Sequence, residues 1–295
     1  MKRFYVVVNP QGGAKKGLDI LNIVKPIFEE SGAELKVLET KYAGHAEEYA
    51  NEMNYEGFDG FCAIGGDGTM HEVINGMLKR KDKHMLPIGL ITGGTGNAFM
   101  HDLQCLDPVE SVKRIIKGQL RPIDIAKVDA GGELFYAFNI IGWGLVTDAS
   151  SLAEKLRWLG DSRYDIAAVI EVIVRRKRIA KLILDEYEIS EDFVFVIACN
   201  TVHTGKAMKI APFAKLDDGK IDIVIVRKAS RIQLLKLFPK LFTGEHVDSP
   251  LVEYKQVDSF SILPKETSSI TIDGELIGLT PIHVQLQSQK INVLV

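Results

Sequence analysis

Asp67 and Glu275 are the acids whose settings point to chemistry rather than solvation. Asp67 lies within Gly65-Gly66-Asp67-Gly68-Thr69. Glycines let backbone N–H groups close around a phosphate. A carboxylate there would repel that phosphate unless a divalent cation or a proton transfer gave it a task. The same residues also read as a turn in which Asp67 caps a helix starting at Met70. Glu275 ends Asp273-Gly274-Glu275, two carboxylates around a glycine, which equally reads as a β-hairpin turn. Two further glycine runs accompany them. Asn9-Pro10-Gln11-Gly12-Gly13 follows an apolar run and precedes an amphipathic stretch, which suits an anion at a helix start or a plain tight turn. Gly93-Gly94-Thr95-Gly96-Asn97 offers hydroxyl and amide groups to phosphate or nucleotide oxygens, or is a flexible connection. Standard motifs are absent: no GxxxxGK[ST] occurs, Phe99 stands where a dinucleotide fingerprint needs Gly or Ala, and His71-Glu72 is followed by Asn75 rather than His.

These loops need elements to hold them. Residues 4–8, 34–39, 60–64 and 87–91 read as short apolar strands, and 18–31, 45–53 and 70–79 as helices between them. Strand, glycine loop and helix in repetition predict a doubly wound, open parallel α/β sheet, with ligands at the carboxyl ends of its strands. The second half reads as β-rich and antiparallel: 123–128, 135–141, 182–189, 193–200, 221–227, 259–263, 269–272, 282–287 and 291–295 are strand-like. Helical insertions are expected near 151–178 and 231–242. The fold class is thus α/β plus all-β, a nucleotide-binding domain at 1–123 and a sandwich-like domain at 124–295, whose last strand is able to return to the first.

Composition narrows the function. At 46% hydrophobic and 25% charged, the 295 residues are those of a folded protein. Lys and Arg number 36 against 39 Asp and Glu, which argues against a dedicated nucleic-acid binder. Cys62, Cys105 and Cys199 form no CxxC pair, so neither a disulfide framework nor a cysteine zinc site is supported, and a reducing compartment fits. The apolar run 4–8 is too short for a signal peptide, and no run reaches the ~18 apolar residues of a membrane span. The expectation is a cytoplasmic protein, without a transmembrane segment, that touches a membrane peripherally.

Together NPQGG (9–13), GGDGTMHEVINGM (65–77), GGTGNAF (93–99) and DGE (273–275) resemble the lipid kinase superfamily of diacylglycerol kinases, bacterial soluble lipid kinases and sphingosine kinases. GGDG alone is shared with NAD kinases, whereas the full set spans nearly the whole chain in order. The resemblance implies an α/β nucleotide-binding domain, a β-rich lipid-binding domain and an active site in the cleft between. It implies ATP and Mg²⁺ as cofactors and γ-phosphoryl transfer to the hydroxyl of a lipid such as diacylglycerol or a sphingoid base, presented at a membrane; a soluble acceptor such as NAD is the alternative. A homodimer is left open.

By the same resemblance, ATP contacts Asn9, Pro10, Gln11, Gly12, Gly13, the segment at Thr40, Gly65, Gly66, Gly68, Thr69, Gly94, Thr95, Gly96, Asn97, Asp273 and Gly274. Either Glu275 or Asp67 accepts the hydroxyl proton. Residues 143–148 and 154–164 resemble a sphingosine kinase segment, in which Arg157 and Arg163 match phosphate-binding arginines. There Ser150 replaces the aspartate that holds the sphingoid amine, with Asp148 a substitute two residues away. The loop 215–220 resembles a structural Mg²⁺ site, with Asp218 as side-chain ligand and Lys215 and Lys220 contributing carbonyls; it also reads as a hairpin turn. The helical stretches 167–174 and 234–242 are candidates to line an acceptor tail or simply to pack in the core.

Overall fold

The computed structural model describes every residue except Gly13, Ala14, Thr95, Arg175, Lys206 and Ala207, and the side chains of Arg157 and Asp161. The chain divides into two compact units, Met1–Ile125 with Gln289–Val295, and Ala126–Ser288.

The first unit alternates strands and helices: β1 (Arg3–Val8), α1 (Gly17–Glu30), β2 (Glu34–Glu39), α2 (His45–Glu52), β3 (Gly60–Gly65), α3 (Asp67–Leu78), β4 (Ile88–Thr92), α4 (Ala98–Asp102) and α5 (Pro108–Lys117). The strands pair in parallel in the order β2-β1-β3-β4. β1, β3 and β4 are covered on both faces and so are apolar almost throughout, whereas the edge strand β2 alternates and is largely exposed. Phe4, Val6, Val8, Cys62 and Ile64 pack with Leu21, Val24 and Phe28 of α1 and with Val112 and Ile115 of α5. The intervening residues, such as Tyr5, Val7, Phe61 and Ala63, are just as buried. They point to the opposite face by the two-residue period of a strand, and α2 and α3 pack against each other. The order reverses between β1 and β3, the place where sheets of this kind bind ligands beyond the strand ends. The 9–13 and 65–69 loops leave from those two ends.

Three helices of this unit differ from the sequence reading. Helix α3 begins at Asp67 rather than Met70. Helices α4 and α5 were not expected at all. For α5 the signal was present: Asp107 accepts the Val109 N–H and Pro108 occupies the first turn.

Strand β5 (Leu120–Ala130) starts in the first unit and ends in the second, which continues with β6 (Glu133–Ala137), β7 (Ile140–Gly144), α6 (Leu145–Lys155), a 3₁₀ segment (Arg157–Ser162), α7 (Arg163–Val174), β8 (Ile179–Leu184) and β9 (Tyr187–Cys199). A two-residue-strand hairpin follows, β10 (His203–Thr204) with β11 (Met208–Lys209). Then come β12 (Ile221–Arg227), α8 (Arg231–Leu237), α9 (Lys240–Thr243), β13 (Val252–Val257), β14 (Ser259–Pro264), β15 (Ile270–Ile272) and β16 (Ile282–Leu294), whose last residues return to the first unit beside β4 through Val293 and Ile88. The pairing of β13, β12, β9, β8, β14 and β16 is antiparallel throughout, and β7 lies between β9 and β15. One core joins Trp143, Phe193, Phe260 and the inward residues of these strands.

Three strand assignments are corrected. Residues 182–189 are not one strand: the chain reverses at Asp185, whose φ is +49°, and β8 pairs with β9 as a hairpin. Residues 135–141 divide into β6 and β7. The stretches 282–287 and 291–295 are one strand, with Gln289 at φ +49° inside it. Strand β13 was not expected; its residues Glu253, Lys255 and Gln256 blunt the apolar pattern.

Candidate active site

Asn9 shapes the first loop of the first unit. Its side-chain oxygen accepts the N–H groups of Gln11 and Gly12, each at 3.0 Å. This Asx turn bends the chain immediately after β1; Gly13, expected at the ATP site, lies outside the described residues. Thr40 continues the line of β2, its N–H donating to the Val8 carbonyl at 2.9 Å. Beyond it, Glu72 accepts the N–H groups of Gly44 at 2.9 Å and Ala46 at 3.0 Å. Glu72 thereby caps α2 from α3 and sets the position of residues 40–45. Sequence reasoning missed it, since its partners are 26 and 28 positions away. Inside that segment the His45 ring stacks between Tyr42 and Tyr49, with centroids 4.4 and 4.1 Å apart.

The second and third loops are built against each other. Gly93 N–H donates to the Gly65 carbonyl at 2.8 Å. A Cβ on Gly94 would stand 2.5 Å from the Gly66 Cα, and one on Gly66 would stand 2.9 Å from the Gly94 Cα, so only glycine allows this approach. Asn97, at φ +47°, closes the third loop on itself: its oxygen accepts the Gly94 N–H at 3.1 Å and its amide donates to the Gly94 carbonyl at 2.7 Å. Thr95 lies outside the described residues.

Asp67 joins the two loops. One of its oxygens accepts the Ala98 N–H at 2.8 Å and the other accepts the Phe99 N–H at 3.2 Å. These are orphan donors at the start of α4, so Asp67 caps the helix of the neighbouring loop and not its own, as the sequence reading had it. The half-buried residues 66–69 and 96–97 thus form a backbone-rich surface whose shape is set before any ligand arrives.

In the second unit Asp273-Gly274 is a two-residue hairpin turn. Ile272 and Glu275 exchange N–H to carbonyl bonds of 2.9 Å, and Asp273 and Gly274 have φ of +52° and +93°. Both central residues are left-handed, the geometry favoured between twisted antiparallel strands. The Asp273 carboxylate accepts the N–H groups of Phe138 (3.3 Å), Asn139 (2.8 Å) and Ile140 (3.1 Å), and the residue is 5% exposed. The carboxylate of this residue, expected at the nucleotide, is turned inward onto the connection between β6 and β7. Glu275, two positions on, is exposed.

Nearby in the same unit, a cavity of about 160 Å³ is lined by Thr147, Asp148, Ser151, Arg178, Ser268 and Leu276, among others. Asp148 pairs with Arg178, and with Arg176 at 2.6 Å; Arg176 also reaches buried Glu171 at 3.3 Å. Asp148, expected as a substitute amine ligand, is thus a carboxylate held by two guanidinium groups. Ser150 donates its hydroxyl to the Val146 carbonyl at 3.0 Å, along its own helix. Arg163 stands 4.7 Å from the Tyr164 ring centroid, donates to the Tyr164 hydroxyl at 3.0 Å and lies 3.7 Å from Glu154. The side chain of Arg157 lies outside the described residues.

The 215–220 loop turns through Asp218, which accepts the Lys220 N–H at 3.1 Å. The Lys220 ammonium pairs with Asp258 at 2.6 Å, and that pairing raises its pKa. Among the described residues no group of three or more acidic, histidine or cysteine side chains gathers to hold a metal. One carboxylate with backbone carbonyls, the set expected here from Asp218, Lys215 and Lys220, is a hard-oxygen donor set of the kind Mg²⁺ takes. Just beyond, fully buried Asp222 accepts the Tyr254 hydroxyl at 2.6 Å and the Gln256 amide at 3.1 Å, while its second oxygen has no partner among the described residues. Burial pushes the Asp222 carboxyl above the usual range, against the pull of those two hydrogen bonds.

Comparison with known proteins covers both units. Residues 3–128 match the diacylglycerol kinase catalytic domain, and residues 139–295 match the YegS C-terminal NAD kinase beta sandwich-like domain. Sphingosine kinase 1 of Arabidopsis thaliana is 31% identical, over 94% of this chain and 69% of that protein. A diacylglycerol kinase of Staphylococcus saprophyticus is 30% identical, over 99% of this chain and 95% of that protein. The crystal structure of a diacylglycerol kinase from Bacillus anthracis strain Sterne shares the fold, with a TM-score of 0.75 at 21% identity over 99% of this chain and 96% of that one.

Proposed function

We propose that this chain, which belongs to the diacylglycerol kinase and sphingosine kinase family, transfers the γ-phosphoryl group of MgATP to the hydroxyl of a neutral lipid of the diacylglycerol type. Membership supports a kinase acting on an alcohol; the acceptor and the residue roles are our reading. Phosphoryl transfer asks for positioning and charge neutralisation more than covalent chemistry. The observation that carries the reading is the joint construction of the 65–69 and 93–97 loops, with Asp67 holding the start of α4. The backbone of residues 66–69 and 96–97 binds the triphosphate, with the turn at 9–12 and the Thr40 segment alongside.

Glu275 takes the hydroxyl proton. Asp67 is the weaker candidate for that task, because protonating it would loosen the two bonds that hold α4. Asp67 is a positioning residue here. Asp218, with the carbonyls of Lys215 and Lys220, would hold a structural Mg²⁺, which when bound supplies rigidity to that loop. Arg163 and Arg157 are offered as further phosphate contacts. The paired state of Asp148 supports a neutral acceptor: an ammonium group would have to displace Arg176 or Arg178 to reach it.

Incubation with radiolabelled ATP tests the reading, using diacylglycerol, monoacylglycerol, sphingosine, ceramide and phosphatidylglycerol beside NAD. Label in diacylglycerol exceeding that in sphingosine is expected. Label confined to NAD would replace the lipid reading with the soluble-acceptor one. We place the protein in the cytoplasm, reaching its substrate at a membrane surface; among the described residues no helix is long and apolar enough to cross a membrane.

A further inference from the structure

Among the described residues lining the cavity of about 160 Å³ in the second unit, Asp148 and Arg178 are the charged ones, and they pair with each other. The other polar side chains there are hydroxyls, those of Thr147, Ser151, Ser268 and Ser269. The volume is room for about five waters at ~30 Å³ each, the size of a small polar headgroup rather than an acyl chain. Leu276, 38% exposed, belongs to the same wall, and it directly follows Glu275, the acid proposed to take the hydroxyl proton.

Arg178 stands just before β8 with only 11% of its side chain exposed, so its charge needs protein partners rather than water. Its backbone N–H donates to the Asp192 carboxylate at 2.8 Å, which fixes the start of the strand. One terminal guanidinium nitrogen donates to the Arg176 carbonyl at 3.3 Å and the other to Asp148. A guanidinium carries more N–H groups than these two acceptors take up, and its flat fork suits oxygen acceptors. Asp148 has a second partner in Arg176, whose side chain remains 54% exposed. We propose that Arg178 sets the acceptor class: its guanidinium keeps Asp148 engaged and donates to the acyl carbonyl beside the reacting hydroxyl of a neutral acylglycerol. An acceptor whose hydroxyl neighbours an ammonium is refused, because that ammonium would face Arg178 and find its counter-ion taken. An ester brings no charge to neutralise and finds a donor and hydroxyl groups waiting. The inference rests on the lipid kinase reading and adds to it the residue that chooses the lipid.

The test is the ratio of radiolabel entering sphingosine to that entering diacylglycerol. Binding is read separately, without nucleotide, by calorimetry of dioctanoylglycerol and of a short-chain sphingoid amine. Arg176→Gln combined with Arg178→Met removes both cationic partners of Asp148. That protein should bind the amine at least ~10-fold more tightly and dioctanoylglycerol at least ~10-fold more weakly than wild type, which moves the label ratio ~100-fold or more toward sphingosine. Adding Asp148→Asn should cancel the gain for the amine. Arg178→Lys keeps the charge and loses the fork, and it serves if the double variant does not fold. It should weaken dioctanoylglycerol about 5-fold or more and leave the amine bound as weakly as in wild type. Equal loss of both acceptors in a folded variant, or an unchanged ratio of their Kd values, would overturn the inference while diacylglycerol labelling by wild type kept the kinase reading. A wild type that binds neither acceptor would overturn it too. A wild type that binds dioctanoylglycerol but labels no lipid would defeat the kinase reading, and the calorimetry would still decide the role of Arg178.

Discussion

Asp67 and Asp273 stand in different units and hold backbone in the same manner, yet their surroundings differ. Asp67 is half-buried, accepts two N–H groups and joins a pair of glycine loops at the open ends of parallel strands. Asp273 is almost wholly buried, accepts three N–H groups and sits in a left-handed turn within antiparallel sheet. The first arrangement leaves half-buried backbone at the ends of the parallel strands, which suits binding. The second turns its polar groups inward and presents the next acid, Glu275, to the outside. An acid in a conspicuous motif thus serves as scaffold in both units, and in the proposed function the chemistry passes to what the scaffold presents.

Substitutions sharpen this contrast. The largest expected effect is that of Glu275→Gln, which should lower kcat at least ~100-fold with the ATP Kd unchanged; a loss confined to ATP affinity would make Glu275 a binding residue. Next is Asp273→Ala. Three N–H groups, two of them buried, lose their acceptor, and urea unfolding should show a loss of about 3–5 kcal/mol. Asp67→Ala removes two, in a wetter setting, and should cost about 1–3 kcal/mol while raising the ATP Kd. Equal losses at the two sites would erase the distinction.

Glycines separate the units in the same way. Gly94→Ala places a methyl group against Gly66 and should weaken ATP binding at least ~10-fold by calorimetry. Gly274 has φ +93° and open space around it, so Gly274→Ala should cost about 1–2 kcal/mol of stability with the ATP Kd unaltered.

The smallest effect concerns pH. His246 is fully buried in the second unit, its Nε2 against the Ile210 carbonyl at 2.9 Å, and burial lowers its pKa below the usual 6.5. The unfolded chain then binds a proton that the fold refuses, so stability present above pH 6.5 is lost as pH falls below it. The urea midpoint of wild type should drop between pH 7 and 5, and His246→Gln should flatten that slope.

What could be read in advance was local. The strand and glycine-loop rhythm of residues 4–97 needs only neighbours, and so did the hairpin reading of 273–275. What escaped reading depends on distant partners. Asp67 looked like the cap of its own helix because the donors it serves lie 31 and 32 residues away. Asp148 looked vacant because its arginines come 28 and 30 positions later. The apolar residues of 167–174 were expected to line a tail or fill a core, yet Val169, Ile170, Ile173 and Val174 are exposed, since the pattern shows that a helix has an apolar side and not what covers it. The turn at Asp185 was hidden because both arms of the hairpin continue the same apolar alternation.

The most direct test of the central claim is the kcat for diacylglycerol phosphorylation measured beside the ATP Kd for wild type, Asp67→Asn and Glu275→Gln. The account expects wild-type turnover, a Glu275→Gln protein that binds ATP but does not turn over, and an Asp67→Asn protein impaired in both. Near-wild-type turnover by Glu275→Gln, or an Asp67→Asn protein with unaltered ATP binding, would contradict it.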